Sequence, residues 1–178
     1  NGKLLSKGNF INGNNEGLWE TYHENGQLVS KGIAVDGKEE GLWEWYYKNG
    51  QLNLKVDYIN GKKDGILEKY YSNGKLEYKG VNRKGKMDGP WEFYYDNGLL
   101  EKKGNFKDGE QEGLWEHFYS NGQLQFTGNY MNGKWDGLWD IFDENGKLIS
   151  KGNFKNGEKE GLWEHYDNKS NLQSKGNY

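Results

Sequence analysis

A strict period governs this chain. The tetrapeptide Gly17-Leu18-Trp19-Glu20 recurs as Gly41-Leu42-Trp43-Glu44, Gly113-Leu114-Trp115-Glu116 and Gly161-Leu162-Trp163-Glu164, at steps that are multiples of 24 residues. Related versions stand at Gly65-Ile66-Leu67-Glu68, Gly89-Pro90-Trp91-Glu92 and Gly137-Leu138-Trp139-Asp140, with no insertion between copies. Such a period is the signature of repeat architectures, in which each unit buries its apolar face against its neighbours. The glycines tighten the case. All 28 fall into four phases, typified by Gly13, Gly17, Gly26 and Gly32, with seven in each. The two lapses are Val56 in the Gly32 phase and Ser170 in the Gly26 phase. Glycine held so regularly marks backbone that needs positive φ, or a place where another group must come close.

Each unit reads as a β-hairpin. A strand of the form Leu-Trp-Glu-x-Tyr-Tyr, as over residues 42–47, runs into Asn25-Gly26, Asn49-Gly50, Asn73-Gly74, Asn97-Gly98, Asn121-Gly122 or Asn145-Gly146, a strong hairpin signal. A return strand follows, as over 27–34 or 148–154. A second turn, Asn/Asp-Gly-x-x-Asp/Glu-Gly, is expected to lead into the next unit, as in Asn60-Gly61-Lys62-Lys63-Asp64-Gly65. Glycine every few residues excludes helix. The expected fold is all-β: an elongated antiparallel meander of about seven 24-residue hairpin repeats. It forms one tandem-repeat domain over 1–178, with units starting near 17, 41, 65, 89, 113, 137 and 161 after a partial unit at 1–16.

If Asn49-Gly50 is a two-residue turn, Tyr47 faces Leu52 and the ladder places Trp43 opposite Val56. In other units Trp then faces Gly, as with Trp19 and Gly32 or Trp115 and Gly128, an arrangement that stabilises sheets. Glu20, Glu44, Glu68 and Glu92 fall opposite Lys31, Lys55, Lys79 and Lys103, which favours the same register. A three-residue loop with a bulge would instead pair Tyr22 with Leu28; the two-residue turn satisfies more columns and is preferred. One face then carries Trp19, Leu28, Gly32 and the column Phe10, Tyr58, Phe106 and Phe154; it is the expected core. The other carries Leu18, Glu20, Tyr22 and Lys31.

Composition agrees with a thin aromatic sheet. Hydrophobic residues make up only 33%, too few for a thick globular core, while an aromatic share of 16% argues against disorder. The net charge of −3 and the absence of any basic block speak against nucleic acid as a partner and weaken electrostatic membrane attachment. There are no cysteines, so neither disulfides nor thiol chemistry arise. No apolar run reaches the length of a membrane span. The first residues, Asn1-Gly2-Lys3, read as a processed or trimmed terminus, so localisation stays open between bacterial cytoplasm and export to the cell envelope.

These residues resemble the MORN repeat, and more closely its bacterial variant, which reads roughly Gly-x-Trp-x-x-Tyr-Tyr-x-x-Gly-x-Leu with a later Tyr/Phe-x-x-Gly. The second copy shows it as Gly41-Leu42-Trp43-Glu44-Trp45-Tyr46-Tyr47-Lys48-Asn49-Gly50-Gln51-Leu52, then Tyr58-Ile59-Asn60-Gly61. The third departs from it, with Leu67 in the Trp place. The resemblance implies an elongated hairpin meander used for protein association, with membrane-lipid contact for some members. Some bacterial members are antitoxin-like and others are exported. It brings no catalytic residues and no cofactor, and the chain is expected not to be an enzyme.

The residues that could carry chemistry recur with the scaffold. The acids form two columns, one through Glu20, Glu44 and Glu68, the other through Glu16, Glu40 and Asp64. Equivalent positions in successive hairpins lie two strands, about 9.5 Å, apart. That separation is near the inverting-glycosidase range, but copying in every unit marks a structural ladder. The Asn/Asp-Gly-x-x-Asp/Glu-Gly turn offers too few oxygen ligands for calcium. His117 and His165 share a phase but stand two repeats, about 19 Å, apart, which excludes a shared zinc ion.

Candidate binding residues are those the scaffold explains least. Trp45 and Trp135 fall outside the Trp column, and Trp135 is expected in a turn as a contact anchor, with local packing over a neighbouring turn as the alternative. The ladders Tyr46, Tyr70, Tyr94 and Tyr47, Tyr71, Tyr95 could meet an extended ligand, though ordinary cross-strand packing also explains them. Unit-to-unit variation concentrates in one strand column at 21, 45, 69, 93, 117, 141 and 165, which adds Phe93, His117 and His165. The leading expectation is a protein-binding scaffold. The alternatives are a carbohydrate- or choline-binding wall module and contact with membrane lipid; self-association through open sheet edges is compatible with each.

Overall fold

The computed structural model describes residues 5–178. Two compact units are distinguished, Asn1–Met87 and Asp88–Tyr178. The first contains β1 (Ser6–Ile11), β2 (Asn14–Tyr22), β3 (Leu28–Val35), β4 (Lys38–Tyr46), β5 (Leu52–Ile59), β6 (Lys62–Tyr70) and β7 (Leu76–Arg83). β8 (Lys86–Tyr94) holds the boundary. The second unit continues with β9 (Leu100–Lys107), β10 (Glu110–Phe118), β11 (Leu124–Met131), β12 (Lys134–Phe142), β13 (Leu148–Lys155), β14 (Glu158–Tyr166) and β15 (Leu172–Asn177). All strands are antiparallel, and the sheet order is the chain order.

The two turns exchange the roles expected of them. The two-residue hairpin turns are the Asp36-Gly37 type: φ is 48° at Asp36 and 76° at Gly37, and Val35 pairs with Lys38. Left-handed backbone at both central residues is the type I′ geometry that matches strand twist. The carboxylate of Glu16 accepts from the Asp36 amide at 3.0 Å, and Glu40 and Asp64 serve Asn60 and Lys84 in the same way. The expected six-residue connection therefore shrinks to two, and its remaining residues join the next strand.

The Asn25-Gly26 type instead closes a three-residue loop. His23 O accepts from Gly26 N at 2.8 Å, His23 N donates to Gln27 O, and Tyr22 pairs with Leu28. The preferred two-residue reading fails here for a local reason. The Asn25 side chain accepts from the Gln27 amide at 3.1 Å, and only the glycine takes positive φ. A register shift between Thr21 and Tyr22 then cancels the extra loop residue, so Trp19 still faces Gly32 and Glu20 still faces Lys31. Ser170, which replaces glycine in one such loop, adopts the left-handed conformation too, with φ 64°.

The core lies on the expected face, except that Leu28, paired with Tyr22 beyond the bulge, joins the outer face. Trp115, Trp139 and Trp163 are fully buried, and Trp19 and Trp91 nearly so. The indoles of Trp19, Trp43, Trp115, Trp139 and Trp163 each lie across the glycine of the preceding strand: a Cβ built on Gly128 would stand 2.2 Å from the Trp139 ring, and one on Gly32 2.1 Å from Trp43. The Gly32 phase is thus conserved in the chain for space, the others for backbone hand. Leu67, the departure in the Trp column, and Val56, the lapse in the Gly32 phase, meet as direct cross-strand partners, both buried. Where the indole is lost, the residue it would have covered gains a side chain.

Candidate functional site

The outer face is a charge ladder. Lys31 bridges to Glu44 at 2.9 Å, Lys103 to Glu116 at 2.8 Å and Lys151 to Glu164 at 3.1 Å. Each of these lysines has an acid facing it from both flanking strands, Asp140 and Glu164 in the case of Lys151, and reaches for the one that follows it in the chain. Tyr46, Tyr70 and Tyr94 donate to Glu44, Glu68 and Glu92 on their own strands. At Glu164, bonds from Lys175, Tyr166 and Lys151 hold the carboxyl down to about 2. Burial and then the bond to Glu44 push the Tyr46 hydroxyl up. These acids are committed to cations and phenols. Beside them runs a row of exposed aliphatic side chains: Leu18, Leu42 and Ile66 in the first unit, Leu114, Leu138 and Leu162 in the second.

Tyr47 and Tyr95 act on the backbone. Their hydroxyls donate to Tyr70 O and Phe118 O, each at 2.7 Å, one repeat ahead. Tyr71 shares their half-buried position.

The variable strand column lands on the inner face, two residues beyond each Trp. Ring stacking follows: Trp43 on Trp45 at 5.7 Å, Trp91 on Phe93 at 6.0 Å and Trp163 on His165 at 6.4 Å. All of these column residues are half-buried, so they line the exposed margin of a buried row. Trp45 also meets Tyr58 at 6.1 Å. Lys102 places its ammonium 4.7 Å from the Phe93 ring. His117 stacks on Phe126 at 4.2 Å, and burial, then the Lys102 charge, lower its pKa to about 4. It is therefore neutral at pH 7, and its buried Nε2 has no hydrogen-bond partner among the described residues. His165 Nδ1 bonds Ser150 Oγ at 3.1 Å.

Trp135 is not in a turn. It lies in β12 opposite Tyr130, stacks on Trp139 at 4.2 Å, meets Phe154 edge-on at 4.8 Å and donates to the Tyr130 hydroxyl at 2.8 Å. Its neighbours already occupy it, because the connection that would have exposed it is only two residues long. In other repeats the same column holds Glu39, Gln111 and Lys159. The structure places that column beside the Trp row.

Seven successive segments match the family model for the MORN repeat variant: residues 15–33, 39–60, 63–83, 87–108, 111–132, 135–156 and 159–178. The chain belongs to the MORN repeat variant family. No characterised protein matches it in sequence. MORN repeats are generally modules of protein and membrane interaction, and the family is a non-enzymatic repeat module. In this MORN chain the candidate residues other than Trp135 and Tyr71 divide into three sets. Tyr46, Tyr70 and Tyr94 belong to the outer ladder, and Tyr47 and Tyr95 lock successive hairpins. Trp45, Phe93, His117 and His165 share one inner column. Among the described residues no group of three or more His, Asp or Glu side chains could hold a metal ion.

Proposed function

We propose that the chain is a non-enzymatic protein-binding scaffold whose specificity lies in the inner column: Thr21, Trp45 and Lys69 in one unit, Phe93, His117, Ile141 and His165 in the other. One observation carries this reading. The Trp and Gly rows are nearly uniform, whereas this column changes chemistry at every step while staying half-exposed beside them. Aromatic side chains with one face buried and one edge in solvent lose little freedom on contact and make strong anchors. The outer aliphatic row, nearly identical in each repeat, suits less selective association. Antitoxin-like or envelope-associated roles are the finer forms of the same reading, set by which partner is captured.

Capture from the native host with the intact chain, against a variant carrying Trp45→Ser, Phe93→Ser and His117→Ser, tests the proposal. A partner retained by the first and lost by the second supports it, with the variant's fold checked by circular dichroism. Equal capture by both removes the inner column from the binding surface.

A further inference from the structure

The inner face repeats a wedge between two side chains, and its filler changes from repeat to repeat. The wedge lies between the Trp and the residue fifteen positions later, and the residue four before the Trp reaches into it. In one repeat Trp135 fills it with its own ring, between Trp139 and Phe154. In another the filler position holds Gln111, whose side chain draws the Tyr130 hydroxyl down against the upward push of burial. In the last, the filler is a cation: Lys159 Nζ sits 4.2 Å from the Trp163 ring and 4.7 Å from Tyr178, whose rings stand 6.3 Å apart at 78°.

The second repeat breaks the series. The filler position holds Glu39, and the rings are Trp43, Trp45 and Tyr58. Trp45 and Tyr58 open at 55° with centroids 6.1 Å apart, and Trp43 backs Trp45 at 5.7 Å. All three rings are half-buried, although most Trp of that row are buried. A Cβ built on Gly61 would stand 3.6 Å from the Glu39 carboxylate, and burial, then the Glu39 charge, push the Tyr58 hydroxyl up. Among the described residues Glu39 makes neither ion pair nor side-chain hydrogen bond, and no lysine lies over any of the three rings. Lys63, the cross-strand partner of Tyr58, is the nearest cation in register. The walls thus differ from those around Lys159: here Trp45 rather than the row Trp opens against the residue fifteen beyond that row Trp, an acid holds the filler position, and no ammonium lies over the rings.

We propose that Trp45, Tyr58 and Glu39, backed by Trp43, form a binding site for an ammonium group carried on an alkyl chain, supplied by a lysine side chain of a protein partner. The source of the cation rests on the scaffold reading above; the site itself does not. Ammonium groups are held over aromatic faces within about 6 Å of the ring centroid, most strongly over indole, and an adjacent carboxylate adds a charge that alkylated and simple ammonium both use. Lys159 shows within the same molecule that a lysine tail laid along the sheet reaches such a wedge.

The test is an NMR titration of the intact, isotope-labelled protein, following the indole N–H signals of Trp43 and Trp45. Tetramethylammonium chloride is the probe and sodium chloride the control at equal ionic strength. A saturable shift at Trp45, weakened at least about tenfold in Glu39→Gln, is expected. Glu39→Lys, which leaves every ring in place, should supply its own ammonium and abolish the shift. Conversely, Lys159→Glu should create a second saturable site read at Trp163. No saturable shift at Trp45, or one unchanged in Glu39→Lys, overturns the site. Two further arms settle the source: a capped Ala-Lys-Ala peptide against its norleucine counterpart, and phosphatidylcholine vesicles. Competition by the lysine peptide alone supports the assignment; competition by vesicles alone overturns the protein source and leaves the site standing. Because the probe needs no partner, failure of the site is distinct from failure to capture a protein.

Discussion

In Asp88–Tyr178 the inner face is an uninterrupted series of rings. Trp115, Tyr130, Trp139, Phe154 and Trp163 form one buried cluster, flanked by Phe93, Phe106, Phe126, Trp135 and Ile141. In Asn1–Met87 the same rows hold Trp19, Ala34, Val56 and Leu67 as buried hydrophobics, and Trp43 is only half-buried. The backbone plan is the same in both. The scaffold therefore tolerates a change of filling as long as the volumes across each strand pair remain complementary. The unit with the aliphatic plug is also the one that leaves an indole pair, Trp43 and Trp45, partly open. Dense aromatic packing and available aromatic surface draw on the same side chains.

The largest expected effect breaks the ring series. Trp139→Ala should cost about 3–5 kcal/mol in urea unfolding, against about 2–4 kcal/mol for Leu67→Ala in the plugged unit. Equal losses would remove the distinction between the two fillings. The plug itself is sharpened by a double-mutant cycle. Val56→Gly alone should cost about 2–3 kcal/mol through a cavity, and Leu67→Trp alone about 1–3 kcal/mol through overpacking. Together they rebuild the indole-over-glycine arrangement, and a coupling of at least about 1 kcal/mol is expected. Strict additivity would show that the pairing of the two lapses is without energetic content.

Acid should separate the units next. His117 is held neutral in the fold, its pKa lowered to about 4 from the 6.5 of an unfolded chain. The unfolded state takes up a proton that the native state resists, so stability is full above about pH 6.5 and falls as pH drops toward 4. With a half-exposed ring the loss should be about 1–2 kcal/mol. His117→Phe should flatten the slope between pH 6.5 and 4, measured by denaturant unfolding across that range; Trp45, at the same phase of the other unit, contributes none. Glu164 acts in a lower window, since its stabilisation is present above about 4.5 and is lost toward 2. The smallest effect belongs to the locks between hairpins: Tyr47→Phe and Glu40→Gln should each cost about 0.5–1.5 kcal/mol.

Much of this was readable from the chain alone. Strand order, the Trp-over-Gly arrangement and the core face follow from the period and the alternation of side chains, which tertiary context does not override when every unit agrees. The turns were harder. Asn-Gly signals a hairpin in both connections, and the choice between two and three loop residues depends on bonds that sequence does not display, such as Glu16 to the Asp36 amide. Trp135 follows from the same point: the pattern predicts a six-residue turn there, whereas the two-residue turn leaves it inside a strand. The ladder's direction, with Lys31 reaching Glu44 rather than Glu20, also rests on side-chain reach that register alone leaves open.

The locks have a consequence for how such a chain changes over generations. Glu16 reaches the turn 20 residues ahead, and Tyr47 the carbonyl 23 ahead. Connections of this span let a gene gain or lose 24 codons and hand each surviving lock an equivalent partner. A slip of half that length would set the indole against a glutamate and the glycine against a lysine, with no groove to receive the rings. Length is thus an evolutionary variable quantised in whole hairpins, and surface identity can be rewritten one column at a time while the count changes.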